Sequence, residues 1–162
     1  MVDRAVNPGC GASQWLSLAR ARRQLGSWAV DNVARMAATA HWKDEPDDHD
    51  YPAAVDYLSL LMPEPDAAAI ADALRTAPLI RRKAKDLLRA SGLAILPSDN
   101  VHVAKDADKV KRGQRLSPVL LVRGDHGTGR PLVVADGYHR ICASYHLDED
   151  AEIPCRMVAH PV

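Results

Sequence analysis

Residues 130–145, reading RPLVVADGYHRICASY, constrain the fold more than any other stretch of the chain. Leu132, Val133, Val134 and Ala135 make a short apolar run with β-branched residues, which reads as a buried strand. The run ends at Asp136-Gly137, and Ile141, Ala143, Ser144, Tyr145 and Leu147 follow at helical spacing. The order is strand, tight turn, helix, with the helix starting at Gly137 or Tyr138. Gly137 has no Cβ, so the chain can turn sharply there or let a ligand approach the backbone. A helix start presents unpaired N–H groups and the positive end of its dipole, which suits an oxyanion such as phosphate. His139 and Arg140 fall in that first turn. Arg140 offers a planar fork of donors matched to phosphate or carboxylate, and His139 exchanges a proton near neutral pH. The plain structural reading of the same residues makes Asp136 a helix cap, Gly137 a turn and Arg140 one half of an ion pair.

A chain of 162 residues is long enough to bury a core of its own. The formal net charge is zero, so no overall electrostatic pull draws it to nucleic acid or a membrane surface. Phe is absent, which leaves the core to Leu, Val, Ile and Ala. No apolar run is long enough to span a bilayer. The opening residues, MVDRAVNPGCGAS, lack the apolar stretch of a signal peptide. Cys10, Cys142 and Cys155 are odd in number and irregularly spaced, which argues for a reducing, cytoplasmic setting. No Cys-x-x-Cys pair occurs, and no metal site is expected.

Along the chain, residues 1–12 read as disordered and 13–91 as a helical region. Trp15, Leu18, Leu25, Trp28, Val33 and Met36 recur at helical spacing, with Arg20, Arg22 and Arg23 largely off that stripe. Residues 41–52, HWKDEPDDHDYP, are dense in acid but lack the glycine and final Glu of a calcium loop. A solvated acidic linker is the expectation. Helices are expected over 53–61, 66–74 and 78–90. The last carries Arg81, Arg82, Lys85 and Arg89 on a basic side, a candidate nucleic-acid surface. At Leu93 the pattern changes, with a short apolar run at 93–96 ended by Pro97 and, further on, a hairpin-like loop at 124–129. Strands are expected at 101–103, 118–122, 132–135 and 153–158, with a short Lys-bearing helix at 106–112. The expected class is α+β, an N-terminal helical segment followed by a small mixed sheet with helices over 92–162. The N-terminal helices also offer an interface for a homodimer or a hetero-complex.

With its elements in that order, the part from 92 to 162 resembles the ParB/sulfiredoxin superfamily. The likeness is carried by KRGQRLSPVLLV, PLVVADGYHRICASYHL and AEIPCRMV. Sulfiredoxins place a Gly-Cys-His-Arg turn before the helix, ParB proteins a Gly-x-Arg-Arg turn, and free-serine kinases an Asp-Gly-x-x-Arg-like turn. The resemblance implies a site for ATP or CTP with Mg²⁺ in which Gly137, Tyr138, His139 and Arg140 hold phosphate. The family's phosphate-binding Lys would be Lys105 or Lys109. In the kinase branch the turn Asp acts near the transferred phosphate, which casts Asp136 as the catalytic base or a Mg²⁺ ligand. Tyr138 stands where sulfiredoxins carry their redox cysteine, so peroxiredoxin repair is not expected. The implied function is binding of a nucleotide or other phosphate ligand, with an ATP-dependent phosphotransferase as its catalytic form. The alternative is a non-catalytic regulatory or DNA-associated module.

Overall fold

The computed structural model describes residues 40–160. The disordered start expected at 1–12 and the helix expected over 15–36 lie outside the described residues. Four strands form the sheet: β1 (Leu79–Lys83), β2 (Val119–Val122), β3 (Val133–Asp136) and β4 (Glu152–Val158), in spatial order β1-β4-β2-β3. β2 runs parallel to β4, while β1–β4 and β2–β3 are antiparallel. The sheet is therefore mixed and the fold is α+β, as the sequence suggested.

β2 is uniformly apolar because both of its faces are buried. Side chains alternate across a strand. Val119 and Leu121 enter one core with Val134, Ile153 and Cys155, and Leu120 and Val122 enter another with Ala135. Burying one Leu or Val side chain contributes roughly 1.5–3 kcal/mol. All four β2 residues are 0 % exposed, so this strand joins the two cores.

Two helices, α1 (Asp50–Leu58) and α2 (Glu64–Thr76), cover the face of Leu120 and Val122. Pro65 and the acids Glu64 and Asp66 open α2, where proline and negative charge both favour a helix start. Its buried residues Ala67, Ile70, Ala71 and Leu74 recur at the spacing of an amphipathic helix. The opposite face carries α3 (Ala84–Ser91), α4 (Val101–Lys111) and α5 (Tyr138–Leu147), which contribute Leu87, Leu88, Val103, Ile141 and Ala143.

Several local expectations change. The helix expected over 78–90 is strand β1 for its first part, because Leu79 to Lys83 pair with β4 and only the residues from Ala84 onward coil. Exposed Arg81, Arg82 and Lys83 suit a sheet edge, where charge discourages further pairing. Val101-His102-Val103, read as an alternating strand, is instead the first turn of α4. The Asn100 carboxamide oxygen accepts the N–H groups of His102 at 3.0 Å and Val103 at 3.3 Å, and this cap starts the helix early. The apolar run at 93–96 forms no strand, and Leu93 and Ile95 are exposed. The boundary expected at residue 92 falls inside one compact unit, since α1, α2 and β1 pack into the same sheet as the later strands. No helix among the described residues is long and apolar enough to cross a membrane.

Candidate functional site

At the β3–α5 corner the turn is as tight as Asp136-Gly137 suggested. Gly137 has φ +99°, and a Cβ there would lie 2.5 Å from Val119 Cγ1. Glycine is thus required twice, for the backbone angle and for the space. No side chain caps α5. The guanidinium expected to reach outward for phosphate turns inward. Arg140 Nη1 donates to Asp50 Oδ2 at 3.2 Å and to the Ser117 carbonyl at 3.0 Å, while Nη2 donates to Asp50 Oδ1 at 3.4 Å and to Asp136. Both terminal nitrogens are taken, and the side chain is 11 % exposed. Arg140 is therefore an internal brace between α1, α5 and the end of β3, and not a free ligand contact.

Asp136, cast as base or Mg²⁺ ligand, is likewise in the grip of Arg140. Burial pushes its carboxyl above the usual range, the Arg140 charge works against that, and the nearby Asp50 adds to the rise. Asp50 also feels its burial, but the Arg140 charge and the Ser117 hydroxyl outweigh it and leave Asp50 below the usual range. One cation shared by two carboxylates favours ionising the one with more hydrogen-bond donors, here Asp50, which the hydroxyl of Ser117 also serves.

The other expected phosphate ligands are scattered. Lys109 binds Asp106 at 2.8 Å on its own helix. Lys105 is exposed and forms no ion pair. His139 packs against His102 with ring centroids 4.8 Å apart, and burial followed by the His102 neighbour lowers its pKa. The Tyr138 hydroxyl donates to the Ala94 carbonyl and ties down the segment before α4. Backbone and imidazole stay at the corner, but the strongest cation expected there is missing from it.

The acidic stretch at 41–52 is part of the fold and not a solvated linker. The Lys43 N–H donates to the Leu116 carbonyl at 2.8 Å, and the Asp47 N–H donates to Ser117 Oγ at 2.9 Å. Two of its acids meet buried arginines, Asp50 with Arg140 and Glu45 with Arg156. Arg156 also donates to the Tyr51 hydroxyl at 3.2 Å and to the Leu74 carbonyl at 3.3 Å. Nothing in the local pattern of 41–52 marks these partners, which lie about 90 or more residues along the chain.

A cavity of about 540 Å³ opens at the other end of β2 and β3. Its floor is apolar, made by Leu87, Ala90, Leu132 and Met157, and Arg82, Arg123 and Arg130 stand around it. The loop at 124–130 shapes one wall. Asp125 and Arg130 exchange backbone hydrogen bonds at 2.8 and 2.9 Å, and the Leu132 N–H donates to the Ala90 carbonyl at 3.0 Å. Gly124 lets the two sides of the loop close, because a Cβ there would sit 2.6 Å from the Arg130 carbonyl oxygen. Among the described residues most Lys and Arg side chains meet an acid, but Arg81, Arg82, Lys105, Arg112, Arg123 and Arg130 form no ion pair. Three of these line this one cavity. The stretch at 124–129 reads in the sequence only as a hairpin-like loop. Two arginines bracketing a glycine-rich turn were the signal that could have found the site.

Of the four residues expected to face nucleic acid, Lys85 and Arg89 are paired with acids and Arg81 and Arg82 are not. Lys83 and Lys85 both bind Asp150, at 2.9 and 2.7 Å, and Arg89 binds Asp86 at 2.9 Å. Arg81 and Arg82 are left on the edge strand, with Arg82 directed to the cavity. Compared with family models, curated proteins and solved structures, the chain shows no match to any.

Proposed function

We propose that this chain binds a small phosphate-bearing ligand, and that the ligand seats in the cavity between α3 and the loop at 124–130. The observation that carries this reading is that three arginines without ion-pair partners line one open cavity with an apolar floor. A cavity of about 540 Å³ has the size of small-molecule sites, and such sites combine apolar walls with a few placed polar groups. Arg is well suited to phosphate through its planar donor fork. Arg123 follows β2 directly and its N–H is fixed on the Val158 carbonyl at 2.8 Å, so its base is rigid.

The ParB/sulfiredoxin resemblance belongs to the same proposal, supported by the strand, glycine turn and helix over 133–147. Its phosphotransferase form loses support at Asp136, because a carboxylate bound to Arg140 is poorly placed as a base. The test is calorimetric titration of AMP, CMP, phenyl phosphate, ATP, CTP, ADP and pyrophosphate, with and without Mg²⁺, into the wild-type chain, Arg123→Ala and Arg130→Ala. Binding that the two arginine variants lose supports the reading. Absence of binding overturns it. So does binding that survives both substitutions but falls with His139→Ala, which would return the ligand to the start of α5.

A further inference from the structure

We infer that the ligand class is a phosphomonoester on a ring-bearing apolar body, taken in preference to a polyphosphate or to free phosphate; this rests on the cavity being the ligand site. The argument comes from the charges and surfaces that face the same space. Arg82, Arg123 and Arg130 supply positive charge, but Asp86 and Asp125 also line the cavity. Asp86 is balanced by Arg89 at 2.9 Å. Asp125 is built into the loop, its carboxylate accepting the Gly127 N–H at 2.9 Å and the Thr128 hydroxyl at 3.1 Å. Neither acid is free to leave. A phosphomonoester carries about −1.5 to −2 charges near neutral pH, which three arginines can match. A longer phosphate chain brings more negative charge into a space already edged by two carboxylates, where like charges repel.

The floor argues against free phosphate. Met157 and Ala90, set over the buried Leu87 and Leu132, present apolar surface that an inorganic ion would leave wet. A planar ring covers it, and the Met157 thioether makes favourable contacts with aromatic edges. The cavity thus offers cations for a dianion and apolar surface for a ring.

The experiment is a calorimetric comparison on the full chain at fixed salt. The probes are AMP, CMP and phenyl phosphate as ring-bearing monoesters, inorganic phosphate, pyrophosphate, and ATP with Mg²⁺. The expected result is that at least one ring-bearing monoester binds tenfold or more tightly than inorganic phosphate, pyrophosphate and ATP with Mg²⁺, and that Arg123→Ala and Arg130→Ala each weaken it by tenfold or more. AMP or CMP binding above phenyl phosphate identifies the ring as a nucleoside, and equal binding identifies it as a ring of any kind; both support the class. If ATP with Mg²⁺ or pyrophosphate binds as tightly through the same arginines, the class is overturned while the cavity reading stands. If no probe binds, or the arginine variants bind every probe unchanged, the cavity reading itself falls. The arginines are exposed, so the variants should keep the fold, and circular dichroism of each variant verifies it.

Discussion

Arg140→Ala separates an internal brace from a surface ligand contact. In the folded chain this guanidinium serves two carboxylates, Asp50 at 4 % side-chain exposure and Asp136 at 23 %. Removing one partner of a buried ion pair costs about 3–5 kcal/mol, because the remaining charge is left without compensation. Here two carboxylates and the Ser117 carbonyl lose their donor together. A loss of that size lowers the thermal midpoint by roughly 10–15 °C in a domain of this scale. Urea unfolding followed by far-ultraviolet circular dichroism at pH 7 measures it.

The pH dependence gives the same prediction a second handle. Asp50 sits below the usual carboxylate range in the folded state, so its contribution is present above the unfolded value of about 4 and is lost as pH falls through its folded value. Asp136 sits above the usual range, so its contribution has the opposite sense, present at low pH and lost as pH rises through its folded value. Without Arg140 both carboxyls resist ionisation, so the variant gains more stability on mild acidification than the wild type, in which the opposite senses of Asp50 and Asp136 offset each other. The gap between them is expected to be widest at pH 7 and to shrink toward about pH 4, where carboxyls begin to protonate. A deficit under about 1 kcal/mol at pH 7, the size of an exposed pair, or a gap that stays constant with pH, would refute the brace and leave the guanidinium available to a ligand.

Two further substitutions test the local geometry. Gly137→Ala must accept a positive φ and a clash with Val119, and a loss of about 2–4 kcal/mol is expected in the same urea assay; an effect under half a kilocalorie would mean the turn relaxes freely. Asn100→Ala removes the cap that accepts two N–H groups at the start of α4, and should cost about 0.5–2 kcal/mol, with earlier amide exchange at His102 and Val103 than in the rest of the helix. Unchanged exchange at those two amides would show that α4 needs no cap to begin where it does.

What was legible in the sequence was local. The run at 132–135, the Asp136-Gly137 break and the helical spacing after it fix a strand, a turn and a helix, because backbone freedom at glycine and burial of short apolar runs are properties of neighbouring residues. The apolar stretch at 118–122 announced a buried strand for the same reason. LIRRK at 79–83 was not legible, since it coils or extends according to whether β4 is beside it, and β4 lies at the far end of the chain.

The partners of charged groups were decided only by the tertiary structure. Arg140 next to Gly137 looks like an anion gripper when only its neighbours are known. Folding brings Asp50 against it from 90 residues away, and a buried guanidinium must take the carboxylate it meets. Arg123 and Arg130 look like ordinary loop cations, yet the sheet, α3 and the loop at 124–130 set them with Arg82 around one apolar floor and leave all three without an ion pair. Local pattern determines the backbone where burial and turn chemistry are set by neighbouring residues, as at 132–147. Which charges are satisfied within the fold, and which remain for a ligand, depends on contacts distant in sequence.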